Sequence, residues 1–211
     1  MENLTKNDLI NLHRQIESRF NVTPGVKDED LIEAVVCRPD HVVNGRQYFP
    51  DIYSKAASIL DTMRWHPFVD GNKRTLLLAT QSYLKLNGYF SIFPLRTLRY
   101  IIGIANRLGE KQNVTDSFII EISNWLKKYV AKEDNRTQIV NVMNKFYSDF
   151  KYIDEVRSHN PRTARQMLEY WLAVDVYPEY ENEIQGIMNL ISEMNTEKIV
   201  YRVNHSTNVL T

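Results

Sequence analysis

His66-Pro67-Phe68-Val69-Asp70-Gly71-Asn72-Lys73-Arg74-Thr75 decides the reading of this chain. Before it, Ile52, Ala56, Ile59, Leu60 and Met63 recur at helical spacing, predicting a helix from about Asp51 that ends near Trp65-His66-Pro67. After it, Leu76, Ala79, Tyr83 and Leu86 predict an inward face on a second helix, from about Asn72 to Leu86. Asn87-Gly88 stops that helix. The ten residues therefore form a loop that feeds a helix N-terminus. Such a terminus carries unpaired N–H groups and partial positive charge, which suits phosphate.

The side chains add to this. Gly71 allows positive φ and a close ligand approach. Asn72, Lys73 and Arg74 place an amide and two cations at the helix start. Cations there oppose the macrodipole, so helix stability does not explain them, whereas a bound anion does. Asp70 is a hard oxygen donor beside the anion site, where Mg²⁺ bridging phosphates needs a carboxylate. His66, with an ordinary pKa near neutrality, suits removal of a proton from a hydroxyl. Phe68 is the expected apolar anchor of the loop. Any one of these residues alone reads as part of a polar turn. Their conjunction supplies a base, a metal ligand and a phosphate cradle for one reaction.

Working outward, Thr5 and Asp8 make a capping-box pattern before Leu9, Leu12, Ile16 and Phe20. Thr23-Pro24-Gly25 breaks that helix, and Asp28 caps the next, whose buried face is Leu31, Ile32, Val35 and Val36. Arg38-Pro39 ends it. Val42, Val43, Asn44, Gly45 and Arg46 predict a hairpin flap, because Asn-Gly supplies the positive φ angles of a tight turn. Two more helices are expected at about 94–108 and 115–131, the second carrying Phe118, Ile122, Trp125 and Tyr129.

A polar break at Glu133-Asp134-Asn135-Arg136 divides the chain into a catalytic domain, 1–134, and a helical extension, 135–211. The extension holds three amphipathic stretches: Ile139 to Phe150, Met167 to Val174 and Ile184 to Ile191. A tail, Ile199 to Thr211, is strand-like or irregular in pattern. The fold class is all-α, a helical bundle with one short β-hairpin.

Composition restricts function further. The 211 residues include 26 basic and 26 acidic side chains, a neutral balance that argues against a general nucleic-acid surface. Arg157, Arg162 and Arg165 read as a solvated helix start. Cys37 is the only cysteine, so no intrachain disulfide forms; its apolar run, Ala34 to Val36, predicts a small buried side chain. His13, His41, His159 and His205 show no ligand-like spacing. Trp125 and Trp171 sit at helical spacing and read as core. No apolar run approaches the roughly 20 residues that span a bilayer. The N-terminus lacks a signal-peptide pattern, so a cytoplasmic location is expected.

The ten-residue segment resembles the Fic/Doc signature, His-x-Phe-x-(Asp/Glu)-Gly-Asn-x-Arg, at every fixed position. The resemblance covers about residues 4–131, through Pro24-Gly25, Arg38-Pro39, the flap, Ala56-Ala57 and Leu86-Asn87-Gly88-Tyr89. It implies that His66 activates a Ser, Thr or Tyr hydroxyl of a target protein for attack on ATP or another nucleoside triphosphate. It implies Mg²⁺ on Asp70, an anion hole at Gly71, Asn72 and Arg74, and a flap that adds the target as a β-strand. Lys73 and Leu77 stand where many AMP-transferring members have Gly and a second Arg.

Asn72-Lys73-Arg74-Thr75 is similar to the Doc subgroup, in which the nucleotide binds reversed and the γ-phosphate moves. Lys73 favours that phosphoryl transfer, while Gly71 keeps AMP transfer open. The match to an inhibitory (Ser/Thr)-x-x-x-Glu-(Gly/Asn) motif, Ser117 to Glu121, lacks its final residue. No built-in inhibitory helix is expected, and a separate antitoxin protein is the expected regulator. The competing readings are a catalytically silent binding module and a DNA-associated regulator.

Overall fold

Each helix start has a sequence cause. The capping box at Thr5 and Asp8 forms, with Asp8 N–H donating to the Thr5 hydroxyl and Thr5 N–H to the Asp8 carboxylate. It opens α1 (Lys6–Arg19). Asp28 accepts from the Asp30 and Leu31 amides and opens α2 (Glu29–Cys37). A 3₁₀ turn at Arg38–Asp40 follows the Pro39 break. The flap is then β1 (Val42–Val43) paired antiparallel with β2 (Arg46–Gln47). Its turn residues have the expected positive φ, 50° at Asn44 and 72° at Gly45. Asp51 caps α3 (Ile52–Asp61), and a 3₁₀ turn at Thr62–Arg64 ends it.

The remaining elements are α4 (Asn72–Leu86), β3 (Tyr89–Ser91), α5 (Val114–Leu126), β4 (Val130–Lys132) and α6 (Arg136–Val156). Residues 181–187 are also helical. The computed structural model describes residues 1–94, 114–156, 176–187 and 189. The architecture is all-α with the β1–β2 hairpin, as the pattern predicts, and it adds a second strand pair, β3–β4. Among the described residues no helix is long and apolar enough to cross a membrane.

α3 is the centre. It packs against α4, α5 and both flanking 3₁₀ turns. Sequence spacing predicts one buried face, yet Ser54 to Asp61 are buried all round. The polar residues among them have partners. The Ser58 hydroxyl donates to the Lys55 carbonyl at 2.6 Å, and Lys55 itself pairs with Asp40. Asp61 pairs with both Arg38 and Arg64. A buried charge without such partners costs several kcal/mol (roughly 3–5 when one partner is removed), so the pairing is obligatory.

Four details differ from the sequence reading. The helix expected over 115–131 ends at Leu126; Tyr129 stays buried but leads into β4, which pairs antiparallel with β3. Three-residue strands have too few positions to show a period of two. Cys37 is exposed, on the solvent side at the end of α2. Leu86 is 43% exposed, because α4 stops right after it at Asn87. Leu12 and Leu31 are only half-buried.

The helix expected at 94–108, the stretch Met167 to Val174, the arginines at 157, 162 and 165 and the tail from Ile199 lie outside the described residues, as do the side chains of Phe150, Met188 and Ile191.

Candidate active site

The His66–Gly71 loop is built against a rail the sequence reading did not identify, the segment 23–28. Lys27 and Asp28 amides both donate to the Pro67 carbonyl, at 2.9 and 3.2 Å. The Val69 amide donates to Gly25 O at 3.0 Å, and Val26 bridges Phe68 antiparallel. The Thr23 amide reaches Asp70 Oδ2 at 3.3 Å. The turn that breaks α1 thus lays down a short strand beside the loop. Thr23-Pro24-Gly25 signals the turn, but nothing local in it announces its long-range partner.

On this rail the candidate side chains are distributed by type. Pro67 and Phe68 are buried, whereas His66 and Asp70 are exposed. Phe68 anchors the loop as expected, with no exposed surface. His66 adopts φ 53°, in the left-handed region, at a cost of roughly 1–2 kcal/mol for a non-glycine residue. Strain of this kind collects at functional positions. Among the described residues, the His66 ring makes no hydrogen bond, so its nitrogens are open to a substrate hydroxyl.

Asp70 is held ionised. Its Oδ1 accepts the Gly71 amide at 2.6 Å, and these backbone bonds, Gly71 first and Thr23 next, hold its carboxyl below the usual range. An ionised carboxylate has about four lone-pair sites, so two hydrogen bonds leave room for a cation. One carboxylate beside an uncapped helix start is a donor set that Mg²⁺ completes with water and phosphate oxygens, so the residues fit that ion.

Gly71 has φ 75° and is the N-cap of α4, with no side-chain cap bond. A Cβ there would lie 3.2 Å from Ile16 Cγ2, so the turn is both left-handed and pressed against α1. Asn72 is buried. Its Oδ1 accepts from the Phe68 amide and its Nδ2 donates to the Phe68 carbonyl, both at 2.9 Å. The Asn72 side chain therefore closes the loop onto the helix. The Arg74 guanidinium lies 4.7 Å from the centre of the Phe20 ring and is half-buried, while Lys73 is exposed. The structure brings Asp70, Gly71, Lys73 and Arg74 together around one helix start that no side chain caps.

The flap residues Val42 and Val43 are 51% and 41% exposed. Behind the flap, the Arg38 guanidinium lies 5.9 Å from the Phe49 ring and 4.7 Å from the Trp65 ring. Phe49 follows the flap and Trp65 precedes His66, so one cation links the two regions.

His13, set aside in the sequence reading, lies directly beneath the loop. Its ring stacks on Phe68 at 3.7 Å, and Nδ1 is 2.9 Å from the Thr75 hydroxyl. Burial is the main cause that pushes its pKa down; Glu17 and Asp70 oppose it. Its place at the seventh position after Lys6, among Leu9, Leu12 and Ile16 on the inward face, is the signal that was available.

Residues 3–84 match the sequence profile of the Fic/DOC family. Over 64 residues the chain is 42% identical to "Toxin Doc" of Mycolicibacterium smegmatis, covering 30% of this chain and 49% of that protein. Over 89 residues it is 34% identical to "Protein kinase doc" of Escherichia phage P1, covering 42% of this chain and 70% of that protein. The chain thus spans about half the length of the first relative. No solved structure matches it.

Proposed function

The chain belongs to the Fic/DOC family, and on that premise we propose that it transfers a phosphoryl group from a nucleoside triphosphate, ATP or a relative, to a Ser, Thr or Tyr hydroxyl of a protein. One observation carries the reading. A single loop begins on an exposed, left-handed His66, passes an ionised Asp70, and ends on the uncapped N-terminus of α4 with Lys73 and Arg74 beside it.

Each part has a task. His66 accepts the hydroxyl proton as the oxygen attacks the γ-phosphorus, the bond from that phosphorus to the bridging oxygen breaks, and the nucleoside diphosphate leaves. The free amides at the start of α4, with Lys73 and Arg74, hold the phosphate oxygens and the charge that grows on them. Asp70 would hold Mg²⁺, which would supply positive charge to offset that of the phosphates. Gly71 and Asn72 set the turn, and Phe68 anchors it. Val42, Val43, Asn44, Gly45 and Arg46 present an edge with exposed valines, to which the target adds as a strand.

Lys73 favours γ-phosphoryl transfer, because a long cation in place of a glycine changes where phosphates lie. The name of the phage relative, "Protein kinase doc", agrees with that chemistry for that protein. Gly71 favours the second reading, transfer of AMP, because a glycine at this turn keeps that geometry open. The relative named "Toxin Doc" supports a toxin role and a separate antitoxin partner. A cytoplasmic site of action fits that role.

The test uses ATP labelled at the α- or the γ-phosphate, with Mg²⁺, cell lysate and purified protein. Label is expected in protein from the γ-position alone. His66→Ala is expected to lower the rate by roughly 10²–10⁴-fold. Label from the α-position moves the assignment to nucleotidyl transfer. Label absent from both, in wild type as in His66→Ala, leaves a binding module in place of an enzyme.

A further inference from the structure

The loop is clamped from below by a residue outside the signature. His13 of α1 is 2% exposed and touches three separate parts of the site. Its ring lies parallel to Phe68, with 14° between planes and 3.7 Å between centres. Nδ1 lies 2.9 Å from Thr75 Oγ1, on the first turn of α4. Nε2 lies 3.1 Å from Glu17 Oε1. The same Glu17 oxygen accepts the Gly25 amide at 2.8 Å, and the Gly25 carbonyl in turn accepts the Val69 amide. A Cβ on Gly71 would sit 3.5 Å from His13 Cε1, so the ring also backs the glycine turn.

Nδ1 and the Thr75 hydroxyl share one hydrogen bond, whose direction follows the tautomer of the ring. The Thr75 hydroxyl also lies 3.2 Å from the Gly71 carbonyl, to which it donates. His13 therefore sets the Thr75 hydroxyl, which sits against the backbone of the glycine turn.

We propose that His13, acting with Thr75 and Glu17, is a positioning residue that locks the loop carrying His66 and Asp70 in register with the start of α4. The inference rests on reading that loop as the transfer site. The helix start holds phosphate through its own amides, and the clamp decides where the base and the carboxylate stand relative to it. Loss of the clamp lowers kcat and leaves the affinity for nucleotide largely intact. A misplacement on the order of 1 Å is enough to cost about 10²-fold.

The experiment compares His13→Phe, which keeps a stacked ring, Thr75→Val, which keeps the shape of the side chain, Thr75→Ser, which keeps the hydroxyl, and the His13→Phe/Thr75→Val double variant. Thermal unfolding reports folding. Each of the first two is expected to lose roughly tenfold to 10²-fold in kcat, with KM for ATP within about threefold of wild type. The double variant is expected to be no worse than the poorer single, because both break one unit. Thr75→Ser is expected to retain wild-type kcat. Folded His13→Phe and Thr75→Val proteins with wild-type kcat overturn the proposal, as do losses that multiply or a loss seen only in KM. If His13→Phe does not fold, Thr75→Val against Thr75→Ser decides.

A wild-type protein that transfers no label from any nucleotide marks failure of the functional reading. The clamp is then read from backbone amide NMR signals of residues 66–72. Shifts in Thr75→Val but not in Thr75→Ser support it, and unmoved signals overturn it.

Discussion

At the residue scale the site depends on a few backbone conformations more than on its charges. Gly71 is the sharpest case. Its φ of 75° disfavours any Cβ, and the position a Cβ would take is 3.2 Å from Ile16. Gly71→Ala is expected to cost about 1–3 kcal/mol, measured as a lowered urea midpoint. It should also lower transfer activity, because the Gly71 amide orients Asp70. A variant as stable as wild type would mean that the turn relaxes without strain.

The chemistry proposed for this segment can be read in sequence because each residue type suggests it directly: an imidazole, a carboxylate, a glycine, two cations. The role of Asn72 was legible only in part. An amide beside a helix start reads as an anion donor, and only the fold shows both of its groups bonded to Phe68. His13 was legible only as an inward residue of α1, spaced with Leu9 and Ile16, since an isolated histidine on an apolar helix face carries no local sign of what lies across from it.

At the scale of elements, the α3–α4 connection is held by a buried ion-pair hub. Asp61 sits at the C-terminal end of α3, where the helix dipole disfavours a carboxylate. Arg38 and Arg64 offset this, and Arg38 also lies over Trp65, next to His66. Asp61→Ala leaves the two guanidinium groups without that carboxylate, and is expected to destabilise the fold by about 3–5 kcal/mol in thermal or urea unfolding. A loss under about 1 kcal/mol would place the pair in the weak class of surface bridges.

The start of α4 and the hairpin turn were readable because Gly71, Asn44 and Gly45 are punctuation that only certain conformations accept. The β3–β4 pair was not, because it joins Tyr89–Ser91 to Val130–Lys132 across a separation no local pattern spans. The all-round burial of α3 was hidden for a related reason. Lys55 and Asp61 look like solvent residues until their partners on the Arg38–Asp40 turn are known.

At the scale of the whole molecule, the polar break at Glu133–Arg136 marks a turn inside one core. Asn135 accepts the Gln138 amide and starts α6 there. Ile139, Val142, Met143 and Phe146 of α6 then join the same buried cluster as Phe90, Trp125 and Tyr129. Further on, Tyr177 is fully buried. Its hydroxyl donates to the Tyr89 carbonyl at 2.7 Å, its ring packs against Phe90, and Glu179 pairs with Lys85 of α4 at 3.0 Å. The extension therefore covers the end of α4 remote from the Gly71 turn.

Each large side chain so buried contributes about 1.5–3 kcal/mol before the entropy of ordering it is subtracted, so loss of several at once is large against a net stability of about 5–15 kcal/mol. A chain ended after Asp134 keeps the entire signature and the flap, yet is expected to lose cooperative thermal unfolding and to aggregate. A chain ended after Val156, which retains α6 and lacks Tyr177, is expected to unfold cooperatively at a lower temperature than the full chain. Circular dichroism melts of the two truncations against the full chain decide this. A 1–134 fragment that melts cooperatively at the full-chain temperature would show that the part carrying the signature stands without residues 135–211. The role of residues 135–211 would then have to be sought in partners instead of in the core.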